Sequence, residues 1–249
     1  MDSVVRLMGL CQGYGRIRVI DGLNLDIGAG VMGLLGPNGA GKSTLLHTLA
    51  TVSPPVGGTI SIDGVTIDSE PKAREARRHI GYLPQHFGYL PSFTVCDFVY
   101  YSAWLRELPA REIDQAVNAA IGEVGLADRA KSKLKSLSGG MLQRAGIAAS
   151  VVGRPPLILL DEPTVGLDPR QRLDFRALIR SLSETSAVVL STHLVEDIGA
   201  ICDDIVVMER GQVLFRGSPD MLCAYAVPGA AGDSDLERGY ISALDAGRV

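Results

Sequence analysis

The chain has 249 residues, 46% of them hydrophobic and 21% charged, with a formal net charge of −4. This size and composition fit one large or two small globular domains with a substantial core, and exclude a disordered or fibrous chain. The acidic balance argues against a dedicated nucleic-acid binder, and no apolar run reaches the ~18 residues that a membrane span requires.

In chain order, Met1-Asp2-Ser3-Val4-Val5-Arg6 lacks the basic-then-apolar layout of a signal peptide. To about residue 30, short alternating apolar runs bounded by glycine predict antiparallel strands, with a similar piece at Gly57–Gly64. Val31-Met32-Gly33-Leu34-Leu35 is a nearly continuous apolar run, as expected of a strand covered on both faces. Residues from about Phe87 to Val152 have no such run and carry helical patterns at Arg111–Val124 and Met141–Val152. They read as a helical subdomain inserted between two halves of an α/β core.

Buried-strand runs return at Leu157–Leu160, Ala187–Leu190 and Ile205–Met208, separated by helical patterns at Pro169–Ser183 and Leu194–Ile201. From about Ala226 the chain is rich in Gly, Ala and Asp, and is expected to be a mobile tail after a single domain of residues 1–225. Cys11, Cys96, Cys202 and Cys223 form no CxxC pair, which fits reduced thiols in a cytosolic protein. The expected fold class is α/β, with a mostly parallel sheet, an N-terminal antiparallel β-subdomain and the inserted α-helical subdomain.

Gly36-Pro37-Asn38-Gly39-Ala40-Gly41-Lys42-Ser43-Thr44 fits G-x-x-x-x-G-K-[ST], after a predicted strand and before a predicted helix. Glycines let successive backbone N–H groups turn toward phosphate oxygens, and the helix adds its positive dipole end. Lys42 is expected to reach the β- and γ-phosphates, and the Ser43 hydroxyl can ligate Mg²⁺. Leu157–Leu160 ends in Asp161-Glu162, at the strand edge where ligands sit in parallel sheets. Asp161 suits Mg²⁺, directly or through water, and Glu162 suits activation of the water that attacks the γ-phosphate. His193 leaves the strand Ala187–Leu190 at the same edge, where an imidazole can donate to the γ-phosphate.

Leu137-Ser138-Gly139-Gly140, between the phosphate loop and Asp161-Glu162, gives the chain an order that resembles ABC-type ATPase subunits over about residues 3 to 220. The resemblance implies a P-loop NTPase core that binds ATP and Mg²⁺. It implies that Tyr14 stacks on adenine and that Gln85, in Tyr82-Leu83-Pro84-Gln85, senses Mg²⁺ and the attacking water. It places Val165-Gly166-Leu167-Asp168 across a dimer interface and makes His193 a switch histidine. It further implies a head-to-tail dimer, in which Ser138, Gly139 and Gly140 of one subunit cover the γ-phosphate held by the other. Met141 stands where the family more often has glutamine, while Gln143 and Arg144 follow the pattern.

Eight aromatics fall between residues 82 and 104: Tyr82, Phe87, Tyr89, Phe93, Phe98, Tyr100, Tyr101 and Trp104. Some fill the core of the helical subdomain. In the family this segment receives a short cytoplasmic helix of a membrane subunit, and aromatics are enriched at such docking sites. With no membrane-spanning run here, the permease is expected to be a separate chain, with the ATPase peripheral on the inner face of the cell membrane. The stretches around Asp161–Arg172 and Ser191–Asp197 look like ATPase subunits of multidrug- or antibiotic-type exporters. The alternative is a soluble scaffold ATPase of an assembly system, such as iron–sulfur cluster assembly.

Overall fold

The computed structural model describes residues 3–247, apart from the side chains of residues 196 and 197; residues 1, 2, 248 and 249 of the expected N-terminus and tail lie outside it. The chain opens with β1 (Val5–Tyr14) and β2 (Ile17–Ile27), then runs through β3 (Gly30–Leu35), α1 (Lys42–Leu49), β4 (Gly57–Ile62) and β5 (Val65–Thr66). Next come α2 (Glu70–Arg77), β6 (Ile80–Leu83), α3 (Val95–Leu105), α4 (Ala110–Glu123) and α5 (Gly139–Val151). The second half holds β7 (Leu157–Asp161), α6 (Pro169–Ser183), β8 (Ala187–Thr192), α7 (Val195–Ile201), β9 (Asp204–Glu209), β10 (Gln212–Gly217), α8 (Pro219–Ala224) and α9 (Asp235–Ala246).

Two sheets result. β2-β1-β4-β5 form an antiparallel sheet, as the alternation near the N-terminus predicts. In β1, Val5 and Leu7 are buried while Arg6 and Met8 face outward, the period of two that one covered face requires. The second sheet has the order β10-β9-β3-β8-β7-β6, parallel except for the edge strand β10.

β3 is its central strand, and its side chains divide between two cores. Met32 and Leu34 pack toward α1 and the N-terminal sheet, while Val31 and Leu35 pack toward the opposite face with Ile158, Leu160, Val188 and Leu190. Burial on both faces explains the unbroken apolar run, and each fully buried Leu or Val stabilises the fold by ~1.5–3 kcal/mol.

The helical insertion is α3, α4 and α5. Its first helix starts at a capping box, in which the Thr94 hydroxyl accepts from the Asp97 N–H at 3.1 Å and the Asp97 carboxylate accepts from the Thr94 N–H at 2.9 Å. α2, β6, β10 and α8 are short elements beyond those read from the sequence.

One expectation needs correction. The segment after residue 226 contains a capped helix, α9, whose Gly239, Ser242, Ala243 and Leu244 are buried. Ser234 and Glu237 form its capping box, and Gly239 lies so close to α8 that a Cβ there would stand 1.8 Å from the Leu222 carbonyl oxygen. Small residues let two backbones meet, and they also erase the apolar stripe by which a helix is read from sequence.

Candidate functional site

The loop Gly36–Gly41 joins the end of β3 to the start of α1. Gly39 and Gly41 have φ of 82° and 103°, a left-handed region that glycine enters without steric cost. Lys42 is only 7% exposed and its ammonium donates to the carbonyls of Gly36 at 2.6 Å and Pro37 at 3.2 Å. Burial lowers the pKa of that ammonium, and the nearby Glu162 and Asp161 carboxylates oppose the shift. The turn between β9 and β10 braces the loop from outside, with the Gly211 N–H donating to the Ala40 carbonyl at 2.8 Å.

Asn38, Gly39, Ala40, Gly41, Lys42, Ser43 and Thr44 line a cleft of about 270 Å³ together with Gln85, Glu162 and Val19. Gln85 enters from the loop after β6 and Glu162 from the end of β7, so residues far apart in the chain converge there. Glu162 is 8% exposed and has a φ of 51°, an uncommon backbone state for a residue with a side chain. Its N–H donates to the Ser191 carbonyl at 3.1 Å and the Ser191 hydroxyl at 3.2 Å, which pins the turn.

The Ser191 hydroxyl in turn donates a short hydrogen bond to the Asp161 carboxylate, which is almost fully buried. His193 Nδ1 lies 2.9 Å from Glu162 Oε2. A chain of contacts thus runs from Asp161 through Ser191 and Glu162 to His193, across the adjacent ends of β7 and β8.

Ser191 and Val19 were missed in the sequence. Ser191 had a signal, since parallel pairing of two apolar runs of this kind sets it opposite Asp161. Val19 had none, because it sits in a β2 position that only the packing of the N-terminal sheet brings to the cleft.

Other expected site residues lie apart. Tyr14 ends β1 and is 53% exposed, and it does not line the cleft. Ser138 caps α5, accepting the Met141 N–H at 3.3 Å, with Gly139 and Gly140 in the first turn. Asp168 caps α6 in a capping box with Gln171. These two helix starts are neighbours, since a Cβ on Gly140 would stand 2.9 Å from Gln171 Oε1 and 3.2 Å from the Gly166 carbonyl oxygen.

The donors suit a nucleotide triphosphate. A loop of N–H groups, a lysine and a helix start give the cleft an anion-binding wall. Ser43 and Gln85 share the cleft wall, and Asp161 lies one residue from Glu162. One carboxylate with neutral oxygens is a donor set that Mg²⁺ accepts when phosphates complete its shell.

The family model described as ABC transporter matches residues 20–165. The chain belongs to the ABC transporter family. It is an ATP-binding and ATP-hydrolysing subunit of such a transporter. The chain is 33% identical to the linearmycin resistance ATP-binding protein LnrL of Bacillus subtilis, over 86% of this chain and 68% of that protein. It is 34% identical to the Nod factor export ATP-binding protein I of Ralstonia nicotianae, over 90% of this chain and 70% of that protein. A solved ABC cassette, described as a dimeric post-hydrolysis state bound to ADP and Pi, superposes with a TM-score of 0.78 at 25% identity, covering 86% of this chain and 98% of that one. None of these relatives favours the scaffold alternative.

Proposed function

We propose that the chain is the energy-coupling subunit of an exporter, acting with a separate permease at the cytoplasmic face of the cell membrane. The observation that carries this reading is the convergence of the phosphate loop, Gln85 and Glu162 on one cleft. Relatives named for linearmycin resistance and Nod factor export support the outward direction. No helix among the described residues is long and apolar enough to cross a membrane. Relatives named as ATP-binding proteins support a separate spanning chain.

In this reading Lys42 and the N–H groups of residues 38–44 hold the β- and γ-phosphates. Ser43, Gln85 and Asp161 would hold Mg²⁺, which when bound neutralises charge on the phosphate oxygens. Glu162 takes a proton from water as the water oxygen bonds to the γ-phosphorus. The bond to the β–γ bridging oxygen breaks, and ADP leaves with its electron pair. His193 holds the Glu162 carboxylate through Nδ1 and turns Nε2 to the γ-phosphate.

The second subunit packs head to tail. Ser138, Gly139 and Gly140 then approach the phosphates from across the interface, with Asp168 on the adjoining loop, and Tyr14 stacks on the adenine. Support comes from the paired helix starts of α5 and α6, whose residues do not themselves line the cleft, although Gly139 shares a hollow with Gln85. ATP between two such surfaces closes the dimer, and hydrolysis releases it.

The test is affinity purification of the Glu162→Gln variant from detergent-solubilised membranes with Mg-ATP. The expected result is a stoichiometric polytopic membrane protein. A trapped dimer with only soluble partners would remove the permease from the proposal.

A further inference from the structure

A cavity of about 370 Å³ lies where the helical subdomain meets the second half of the core. Its lining comes from the end of α4, from α5, and from Leu167 and α6, and it shares no residue with the nucleotide cleft. Val124, Ile147, Leu167, Phe175 and Leu178 form apolar walls, each at most 9% exposed. A void with such walls falls in the size range of small-molecule pockets, about 300–1,000 Å³.

Three charged side chains also line it, Glu123, Arg144 and Asp174. Glu123 is held by Arg154 at 2.7 Å. Arg144 Nη1 donates to the carbonyls of Val124 at 3.1 Å and Gly125 at 3.2 Å, which ties α5 to the end of α4. Among the described residues no carboxylate pairs with Arg144 and no cation pairs with Asp174. A cation on α5 and a carboxylate on α6 therefore line one void without meeting.

That arrangement sets the chemistry of an occupant. A carboxylate ligand gains Arg144 and is repelled by Asp174, and an ammonium meets the reverse. An uncharged group with an acceptor for the guanidinium and a donor for the carboxylate satisfies both, as a primary amide does. The apolar walls call for a hydrocarbon body behind it.

The cavity reaches Glu162 through the backbone. The Leu167 N–H donates to the Thr164 carbonyl at 3.2 Å, and the Val165 N–H donates to the Glu162 carbonyl at 3.3 Å. Two successive turns thus join the cavity wall to the acid. A void between packed helices leaves them room to shift, and filling it removes that room.

We infer that this cavity binds an uncharged molecule with an aromatic body and one donor–acceptor end, and that its occupancy slows ATP hydrolysis. The site goes beyond the exporter reading and requires no permease. The slowing, unlike the binding, rests on the role proposed for Glu162.

The full chain is titrated by equilibrium dialysis with naphthamide, naphthoate and naphthylmethylammonium, which share one ring system. The amide is expected to bind at least about tenfold more tightly than either charged analogue. In Asp174→Ala the naphthoate is expected to gain affinity and the amide to lose it, so that the preference between them disappears. Gly122 lines the cavity from α4, and a Cβ there meets nothing within 4 Å, so Gly122→Phe puts a ring into the void without a clash. That variant is expected to keep its circular dichroism, to bind none of the probes and to hydrolyse ATP more slowly. In the wild type, saturating naphthamide is expected to lower kcat at least about threefold with little change in the KM for ATP.

Equal binding of the probes, no binding by any, or an amide preference that survives Asp174→Ala overturns the inference. Binding that persists in Gly122→Phe also overturns it, since the probe then sits elsewhere. An unchanged kcat with the amide bound, in a protein whose turnover Glu162→Gln abolishes, overturns the slowing. Normal turnover in Glu162→Gln fails the role of Glu162 alone and leaves the site to the dialysis result.

Discussion

His193 Nδ1 faces Glu162 Oε2 at 2.9 Å, and the carboxylate is held in a turn with a left-handed backbone. The imidazole therefore fixes the direction of the acid beside it. Glu162→Gln is expected to retain ATP binding and to lose at least about 100-fold in turnover, as removal of a general base does. His193→Ala is expected to lower kcat with little change in ATP affinity. Near-normal single-turnover hydrolysis in Glu162→Gln would remove that residue from its role.

Ser191 supplies the donor to Asp161 and two acceptors to the Glu162 N–H. Ser191→Ala leaves the buried carboxylate short of a partner, which costs about 1–3 kcal/mol. Urea unfolding should show that loss, and ATPase activity should need more Mg²⁺ for half-saturation. An unchanged midpoint and an unchanged Mg²⁺ dependence would make the serine incidental.

Lys42 combines a needed charge with an unfavourable location. Lys42→Ala is expected to weaken ATP binding by at least about tenfold, measured by calorimetry. Its pKa is lower folded than unfolded, so the burial penalty is present below the folded value and disappears as pH rises toward the ordinary 10.5. Across that alkaline window the wild type should gain stability relative to Lys42→Ala, while its ATP affinity falls as the ammonium loses its proton. A flat difference in stability between the two across that window would contradict the burial assignment.

Met141 donates its backbone N–H to Ser138, a cap that no side chain at 141 alters, while its own side chain packs on the core. Met141→Gln should thus change steady-state ATPase activity by less than about tenfold, or ~1.4 kcal/mol in barrier. A larger change would mean that this side chain takes part across the dimer.

Gly239→Ala tests the C-terminal helix. The added Cβ collides with the Leu222 carbonyl, a backbone atom that cannot swing away, so roughly 1–3 kcal/mol of destabilisation is expected. Limited proteolysis should then cut between α8 and α9, where the wild type is expected to resist. Equal resistance in both proteins would show that the packing of α9 is dispensable.

The sequence displayed most strongly what physics makes periodic or residue-specific. Val31–Leu35 and Leu157–Leu160 read as buried strands because both faces are covered, and Pro169–Ser183 read as a helix with its apolar face intact. The phosphate loop was legible because φ values near 80–100° admit few residues but glycine. β6 escaped notice because four residues with a central Gly81 carry too little pattern, although Gly81 is needed where the Ser150 carbonyl passes. α9 escaped because it packs through small residues. Val19 reaches the cleft only through packing that folding assembles.

The pairing of β3 sets an order of events on the ribosome. Gly30 to Leu35 take their neighbours from Ala187–Thr192 on one side and Asp204–Val207 on the other, and the phosphate loop leans on Gly211. A nascent chain that has exposed only its phosphate loop has no strand for β3 to join. Competence to hold ATP should accordingly arrive late in synthesis and abruptly, once the β9–β10 turn has left the exit tunnel.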